Sequence, residues 1–439
     1  MLKRLLRGFV LALLRLYYPR IEVEGRENLP TSGAVMFVLN HPNGLLDPLL
    51  LIATTGRRVS FLAKNTFFNN PISRFAMTAF GALPVFRQRD AAGTATQERN
   101  EHTFARCREL LRDGVALALF PEGTTHSEPR LLALKSGAAR IALGAEAANG
   151  WQLGLSIVPV GLWYQDKRIF RSAVLMIVGK PFTLADLRST YAADPEMAVA
   201  ATTERIAAHL GTVVFQAGNA DLLRGLPVVV EWTIDHLALT ARQRRNQPAA
   251  LLTAFNQLAT TDAPKMAALA EQAQRYARTV RMLGISDPWS PVLPSVRRWR
   301  AWALAALLVL AAPFALAGWL ISYLPYRMSG VVASRLTTED QVLGTIKLIV
   351  GAVLVGVGWL GVAALTGWRL GAAWGWALLV IAPLASYCAL RWSEGWRELR
   401  HAAAASWLRL FHPDVSAQLV ARRQALSHEI VAAVLELND

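Results

Sequence analysis

Ala34-Val35-Met36-Phe37-Val38-Leu39-Asn40-His41-Pro42-Asn43-Gly44-Leu45-Leu46-Asp47-Pro48 is the stretch from which the rest of the chain is read. Its first six residues are apolar and partly β-branched, and Pro30, Thr31, Ser32 and Gly33 lead into them, so they predict a buried strand. Pro42, Asn43 and Gly44 are turn residues, and Leu45 to Ile52 predict a helix carrying Asp47 in its first turn. A histidine is thereby presented at the C-terminal end of a strand, the edge at which ligand crevices form in open α/β sheets. The carboxylate can turn back onto one ring nitrogen of His41, leaving the other to take a proton from a substrate hydroxyl. Alone, the pair has a plain alternative, a hydrogen-bonded structural histidine, and the sequence around it has to decide.

Working outward, Val59 to Ala63, Ala82 to Phe86, Val115 to Phe120, Ile157 to Leu162 and Val174 to Val178 predict strands. Pro71 to Phe80, Gln97 to Arg112 and Lys135 to Ala148 predict helices between them. Such alternation predicts an α/β domain with a mostly parallel sheet flanked by helices. Three clusters follow these strands. Gly81 to Asp90 carries Arg87 and Arg89, planar donors suited to a phosphate, with a solvated basic turn as the alternative. In Phe120-Pro121-Glu122-Gly123-Thr124-Thr125, Gly123 permits close backbone approach, Thr124 offers a hydroxyl, and Glu122 can orient polar substrate groups or the surroundings of the histidine. Lys135-Ser136-Gly137 opens a helix with Arg140 one turn on, where backbone N–H groups and cations could face an anion. Val158-Pro159-Val160-Gly161 reads as a pocket wall.

The hydrophobic fraction of the 439 residues is 53%, above the roughly 45 to 50% of globular chains, and the excess lies between Ala301 and Leu390. Runs at Trp302 to Tyr323, Val342 to Leu365 and Leu370 to Leu390 each approach the roughly 20 residues a membrane span requires. Pro313 and Pro325 make the first a candidate re-entrant hairpin, so two full spans are expected, and Gly367, Gly371 and Gly375 predict close helix packing. Given those runs, the net charge of +15 points to anionic lipid or a CoA-like substrate and away from nucleic acid. Cys107 and Cys388 suggest no disulfide or zinc framework. The expected organisation is an interfacial basic amphipathic helix over 1–20, with a packed surface helix as the alternative, and a catalytic domain over 21–183. A helical subdomain over 184–296, C-terminal transmembrane helices over 297–396 and a helical tail over 397–439 follow. Within the subdomain, Met197 to Gln216, Leu222 to Gln243, Pro248 to Leu258 and Pro264 to Leu283 predict helices, and His236 beside Asp235 reads as a packed core histidine.

The order of Asn40-His41 to Asp47, Gly81 to Arg87, Phe120-Pro121-Glu122-Gly123-Thr124 and Val158-Pro159-Val160-Gly161 resembles the four blocks of the glycerophospholipid acyltransferase family, over roughly Ile21 to Phe182. Five residues separate His41 from Asp47 where the family commonly has four. With Gly-Ala-Leu-Pro-Val before an arginine, this is similar to the branch that acylates glycerol-3-phosphate or dihydroxyacetone phosphate, including fungal-type members with a C-terminal membrane region. The arginine that many lysophosphatidate enzymes place after Glu-Gly-Thr is absent, Thr125 and His126 standing there instead. The resemblance implies that His41, oriented by Asp47, is the general base, that Arg87, Glu122, Gly123, Thr124 and Lys135 bind substrate, and that neither metal nor cofactor is needed. The implied donor is acyl-CoA or acyl-carrier protein, the acceptor a phosphorylated glycerol-type molecule, and the setting membrane lipid, the catalytic domain lying cytoplasmic at a bacterial inner membrane. Lysophosphatidate acylation is the nearest alternative. A lipid-binding scaffold or transporter is the alternative of another class, against which Lys347 and Arg369 lie near span ends, not in mid-span.

Overall fold

The computed structural model describes residues 2–86, 94–128, 130–216, 261–285 and 298–435. The chain forms two compact units, and the described residues up to 216 belong to the first together with the turn Asp340–Thr345. Helix α1 (Leu2–Tyr17) opens it. The remaining helices are α2 (Leu46–Thr55), α3 (Pro71–Ala79), α4 (Thr94–Arg112), α5 (Gly137–Ala148), α6 (Arg188–Ala193) and α7 (Pro195–Gly211). They alternate with β1 (Arg20–Glu24), β2 (Val35–Leu39), β3 (Val59–Lys64), β4 (Ala82–Val85), β5 (Ala116–Leu119), β6 (Ser156–Tyr164) and β7 (Ala173–Val178). The strands form one sheet in the order β1-β7-β6-β2-β5-β3-β4. Only the β6–β7 pairing is antiparallel, so β7 and β1 run against the other five strands.

Every strand and helix expected between Ala34 and Val178 is present. The strand β1 was not expected: Arg20-Ile21-Glu22-Val23-Glu24 carries few apolar residues because it lies at a sheet edge, paired to β7 alone. The strand β2 lies between β5 and β6, and all five of its residues are buried, which explains its continuous apolar run. Since β2, β5 and β6 run in one direction, their C-terminal ends share an edge. His41, the Glu122 loop and the segment after Tyr164 therefore meet there.

The second unit holds α8 (Ala263–Met282), α9 (Arg298–Leu336), the helix α10 (Asp340–Leu370) from Ile346 onward, α11 (Ala372–Phe411) and α12 (Pro413–Leu435). Three of these, α9, α10 and α11, are long and apolar enough to cross a membrane. The re-entrant reading of Trp302 to Tyr323 is corrected: α9 is one continuous helix through Pro313 and Pro325. Gly358 leaves room for Pro325, whose ring carbon would stand 3.1 Å from a Cβ there. The glycine repeat divides its work. Gly371, at φ +103°, breaks the chain between α10 and α11. Gly367 and Gly375 then face each other so closely that a Cβ on Gly375 would lie 3.0 Å from the Gly367 Cα. Ser386 Oγ meets Ser322 Oγ at 2.5 Å and accepts from Trp359 Nε1 at 2.9 Å, tying α9, α10 and α11 together. Of the stretch 184–296, α7 packs in the first unit and α8 against α12 in the second. Leu222 to Gln243, Pro248 to Leu258, His236 and Arg297 lie outside the described residues.

Candidate active site

Two devices extend the sheet past the end of β2 and hold His41 by its main chain. On the β6 side, the Asn40 side chain mimics a strand, its Nδ2 donating to Leu162 O at 3.0 Å and its Oδ1 accepting from Leu162 N at 2.7 Å. On the β5 side, His41 N donates to Glu122 Oε1 at 3.2 Å and His41 O accepts from His126 N at 3.2 Å. The ring stacks on Phe120, with centroids 4.0 Å apart.

A tight turn then brings Asp47 back. Gly44 sits at φ +48°, in the left-handed region that favours glycine, and Leu46 N donates to Asn43 O at 3.1 Å. Asp47 consequently lies in the first turn of α2, fully buried, with Oδ2 2.8 Å from His41 Nδ1. The same oxygen accepts from Asn43 N at 2.8 Å, and Oδ1 accepts from Tyr164 Oη at 2.5 Å. Burial, reinforced by the Asp47 carboxylate, pushes the Tyr164 phenol well above its ordinary range, so it stays a donor. Burial does the same to Tyr18, whose Oη accepts from Asn43 Nδ2 at 2.9 Å. With Nδ1–H pointed at Asp47, the acceptor lone pair of His41 falls on Nε2. Among the described residues no hydrogen-bond partner holds that nitrogen.

Glu122 is buried, and both of its oxygens are used by the chain. Oε1 takes the His41 N–H, while Oε2 takes His126 Nε2 and the Leu132 N–H, the latter at 2.9 Å. Glu128 N donates to His126 Nδ1 at 3.2 Å, which assigns the proton of that neutral ring to Nε2. Glu122 thus bonds the main chain of His41, the His126 ring and the main chain of Leu132. Lys135 lies beside Gly123: at φ +66°, a Cβ there would stand 2.6 Å from Lys135 Cδ. Thr124 is half-buried on the same loop. Arg140, expected to face an anion, is instead held bidentately by Glu196 at 2.9 and 2.7 Å. Arg87 lies outside the described residues.

Sequence reasoning missed Tyr18, Tyr164, His126 and Lys167. Lys167 donates from Nζ to Pro42 O at 2.9 Å and to Ser127 Oγ at 2.6 Å, joining the histidine loop to the Glu122 loop. Burial lowers its pKa, opposed by the nearby Asp47 and Asp340. The available signal was a lysine three residues past an apolar strand that ends on this edge, the strand closing on a tyrosine whose hydroxyl would need a partner once buried.

The family model described as Acyltransferase matches residues 20–163, which include β1, the His41–Asp47 loop, the Glu122 loop and β6 almost to its end. The chloroplast 1-acyl-sn-glycerol-3-phosphate acyltransferase of Arabidopsis thaliana is 32% identical over 148 residues, 33% of this chain and 37% of that protein. Over residues 20–163 the chain is similar to the glycerophospholipid acyltransferase family. Among other relatives, glycerol-3-phosphate O-acyltransferase 2 of Saccharomyces cerevisiae is 28% identical over 195 residues, 43% of this chain and 25% of that protein. The crystal structure of the 1-acyl-sn-glycerophosphate acyltransferase of Thermotoga maritima is 20% identical, covers 46% of this chain and 81% of that one, and gives a TM-score of 0.31. The chain thus spans well under half the length of the two curated acyltransferases, and the segment that the family model matches occupies a third of it.

Proposed function

We propose that the protein moves a fatty acyl group from an acyl thioester, acyl-CoA or acyl-carrier protein, to a hydroxyl of glycerol-3-phosphate or dihydroxyacetone phosphate. The observation that carries this reading is His41 Nδ1 held 2.8 Å from the buried Asp47 carboxylate at a sheet edge, with Nε2 left as acceptor. Nε2 removes the hydroxyl proton as the acceptor oxygen attacks the thioester carbonyl. The new C–O bond forms, the C–S bond breaks, and the imidazolium returns its proton to the departing thiolate. Asp47 stabilises the imidazolium, and no enzyme nucleophile is needed. Lys135, Thr124 and Gly123, together with Arg87, hold the phosphate and glycerol end of the acceptor, supplying the proximity that a two-substrate transfer requires. In this reading α9, α10 and α11 hold the protein in a bacterial inner membrane, with the catalytic domain on the cytoplasmic side.

Acylation of lysophosphatidate is the second reading, favoured by the relatives named 1-acyl-sn-glycerol-3-phosphate acyltransferases. The spacing of His41 and Asp47 and the absence of an arginine directly after Thr124 support the first. Detergent-purified protein given labelled palmitoyl-CoA, or palmitoyl carrier protein, and each acceptor separately distinguishes them. Product from glycerol-3-phosphate or dihydroxyacetone phosphate alone is expected. Product from lysophosphatidate alone would assign the second acylation step, and none with either donor would remove the enzyme reading.

A further inference from the structure

The turn Asp340–Thr345 belongs with the first unit although it lies far outside the segment that matches the family. It meets three loops of the site. A Cβ on Gly344 would stand 2.8 Å from Lys167 O, 3.1 Å from Asn43 Oδ1 and 3.2 Å from Leu46 Cδ1. Gln341 O would lie 3.1 Å from a Cβ on Gly44, and Ser127 Oγ lies 3.5 Å from Gln341 Oε1. Asp340 acts electrostatically on Lys167, the residue that joins the His41 loop to the Glu122 loop. Asn43 Oδ1 and Thr345 Oγ1 are buried there without a hydrogen-bond partner. This seam is therefore held by close fit, and fit is intolerant of one added methyl group.

We propose that the turn Asp340–Thr345 is a positioning element for the His41–Asp47 pair, with Gly344 as the residue on which it depends. Gly344 acts through Asn43, which donates to Asp47 Oδ2, and through Lys167, which donates to Pro42 O. It touches neither substrate nor the reacting atoms. A side chain at 344 displaces Asn43 and Lys167, and Asp47 moves with them. The consequence is that the catalytic segment 20–163 is incomplete without residues nearly two hundred positions further along the chain. The catalytic part of this proposal rests on the acyl-transfer reading above.

The test compares Gly344→Ala with Gly356→Ala in the full-length protein in detergent. Both substitutions remove a glycine from one helix, but nothing lies within 4 Å of a Cβ at 356. Two readouts are taken, acyl-transfer kinetics and hydrogen–deuterium exchange of the segment 42–47, whose exchangeable amides are those of Asn43 to Asp47, with the amides of α5 as the folding reference. Gly344→Ala is expected to speed exchange at 42–47, leave α5 unchanged, and lower kcat by about tenfold or more with KM little changed. Gly356→Ala is expected to match the parent in both. An active parent whose Gly344→Ala variant keeps its kcat would overturn the proposal. If the parent transfers no acyl group, the functional reading has failed and exchange alone decides: faster exchange at 42–47 supports the turn as a positioning element, and unchanged exchange overturns it. If α5 also exchanges faster in Gly344→Ala, Gln341→Ala, which removes a side chain and adds none, replaces it. Faster exchange at 42–47 and 125–128 supports the proposal, and parental exchange there overturns it.

Discussion

Asp47 has more partners than an orienting carboxylate strictly needs, and each has a measurable consequence. The Tyr164 hydroxyl, the Asn43 amide and the His41 ring all donate to it, so both oxygens of this buried side chain are satisfied. Asp47→Asn keeps the volume but places donors where acceptors are required, and kcat is expected to fall by about 10²-fold or more. Tyr164→Phe removes one donor from a buried carboxylate, a cost of about 1–3 kcal/mol, and is expected to lower both kcat and thermal stability, read by steady-state kinetics and by circular dichroism melting. At the far edge of the sheet, Glu24 tests the same physics in reverse. Burial, with Glu22 beside it, pushes its carboxyl up to about 8, and its Oε2 has no hydrogen-bond partner. The folded protein therefore holds this proton more tightly than the unfolded chain. The stability it contributes is fully present below the ordinary carboxylate range and is lost as pH rises toward 8. Glu24→Gln should match the parent in thermal midpoint at pH 5 and exceed it progressively up to pH 8.5. An equal difference at both pH values would contradict that assignment.

At the scale of elements, β6 carries the tightest constraint in the sheet. A Cβ on Gly161 would fall 1.7 Å from Val213 O, inside the main chain that follows α7. Gly161→Val is expected to abolish accumulation of folded protein, measured as yield and protease resistance, whereas Gly154→Ala, with nothing within 4 Å of the new Cβ, should cost only backbone strain. Gly161 was singled out in the sequence as part of a pocket wall, and its constraint proves to be backbone contact. The strands β2 to β7 and their helices were legible because burial writes itself into apolar runs and turns into Pro, Asn and Gly. The edge strand β1 was not, since it buries too little to leave that mark. Within the site, His41, Asp47 and Glu122 were legible from spacing and block order. Tyr18, Tyr164 and Lys167 were not, because their partners come from elements tens to more than a hundred residues away. A continuous α9 was illegible for a different reason: Pro313 and Pro325 are costly in an isolated helix, but neighbouring helices can absorb them, as Gly358 does.

At the scale of the molecule, the chain carries in a third of its length a segment similar to the acyltransferase family, and elsewhere the helices that hold its apolar excess; the candidate site stands at the ends of three parallel strands. His41 is the residue on which the proposed acyl transfer depends. The measurement is acyl transfer from labelled palmitoyl-CoA to glycerol-3-phosphate by the full-length protein and by His41→Ala, at matched concentration and with matching circular dichroism spectra. A loss of about 10²- to 10⁴-fold in kcat is predicted for the variant. A His41→Ala protein that keeps its fold and transfers acyl groups within tenfold of the parent would contradict the account.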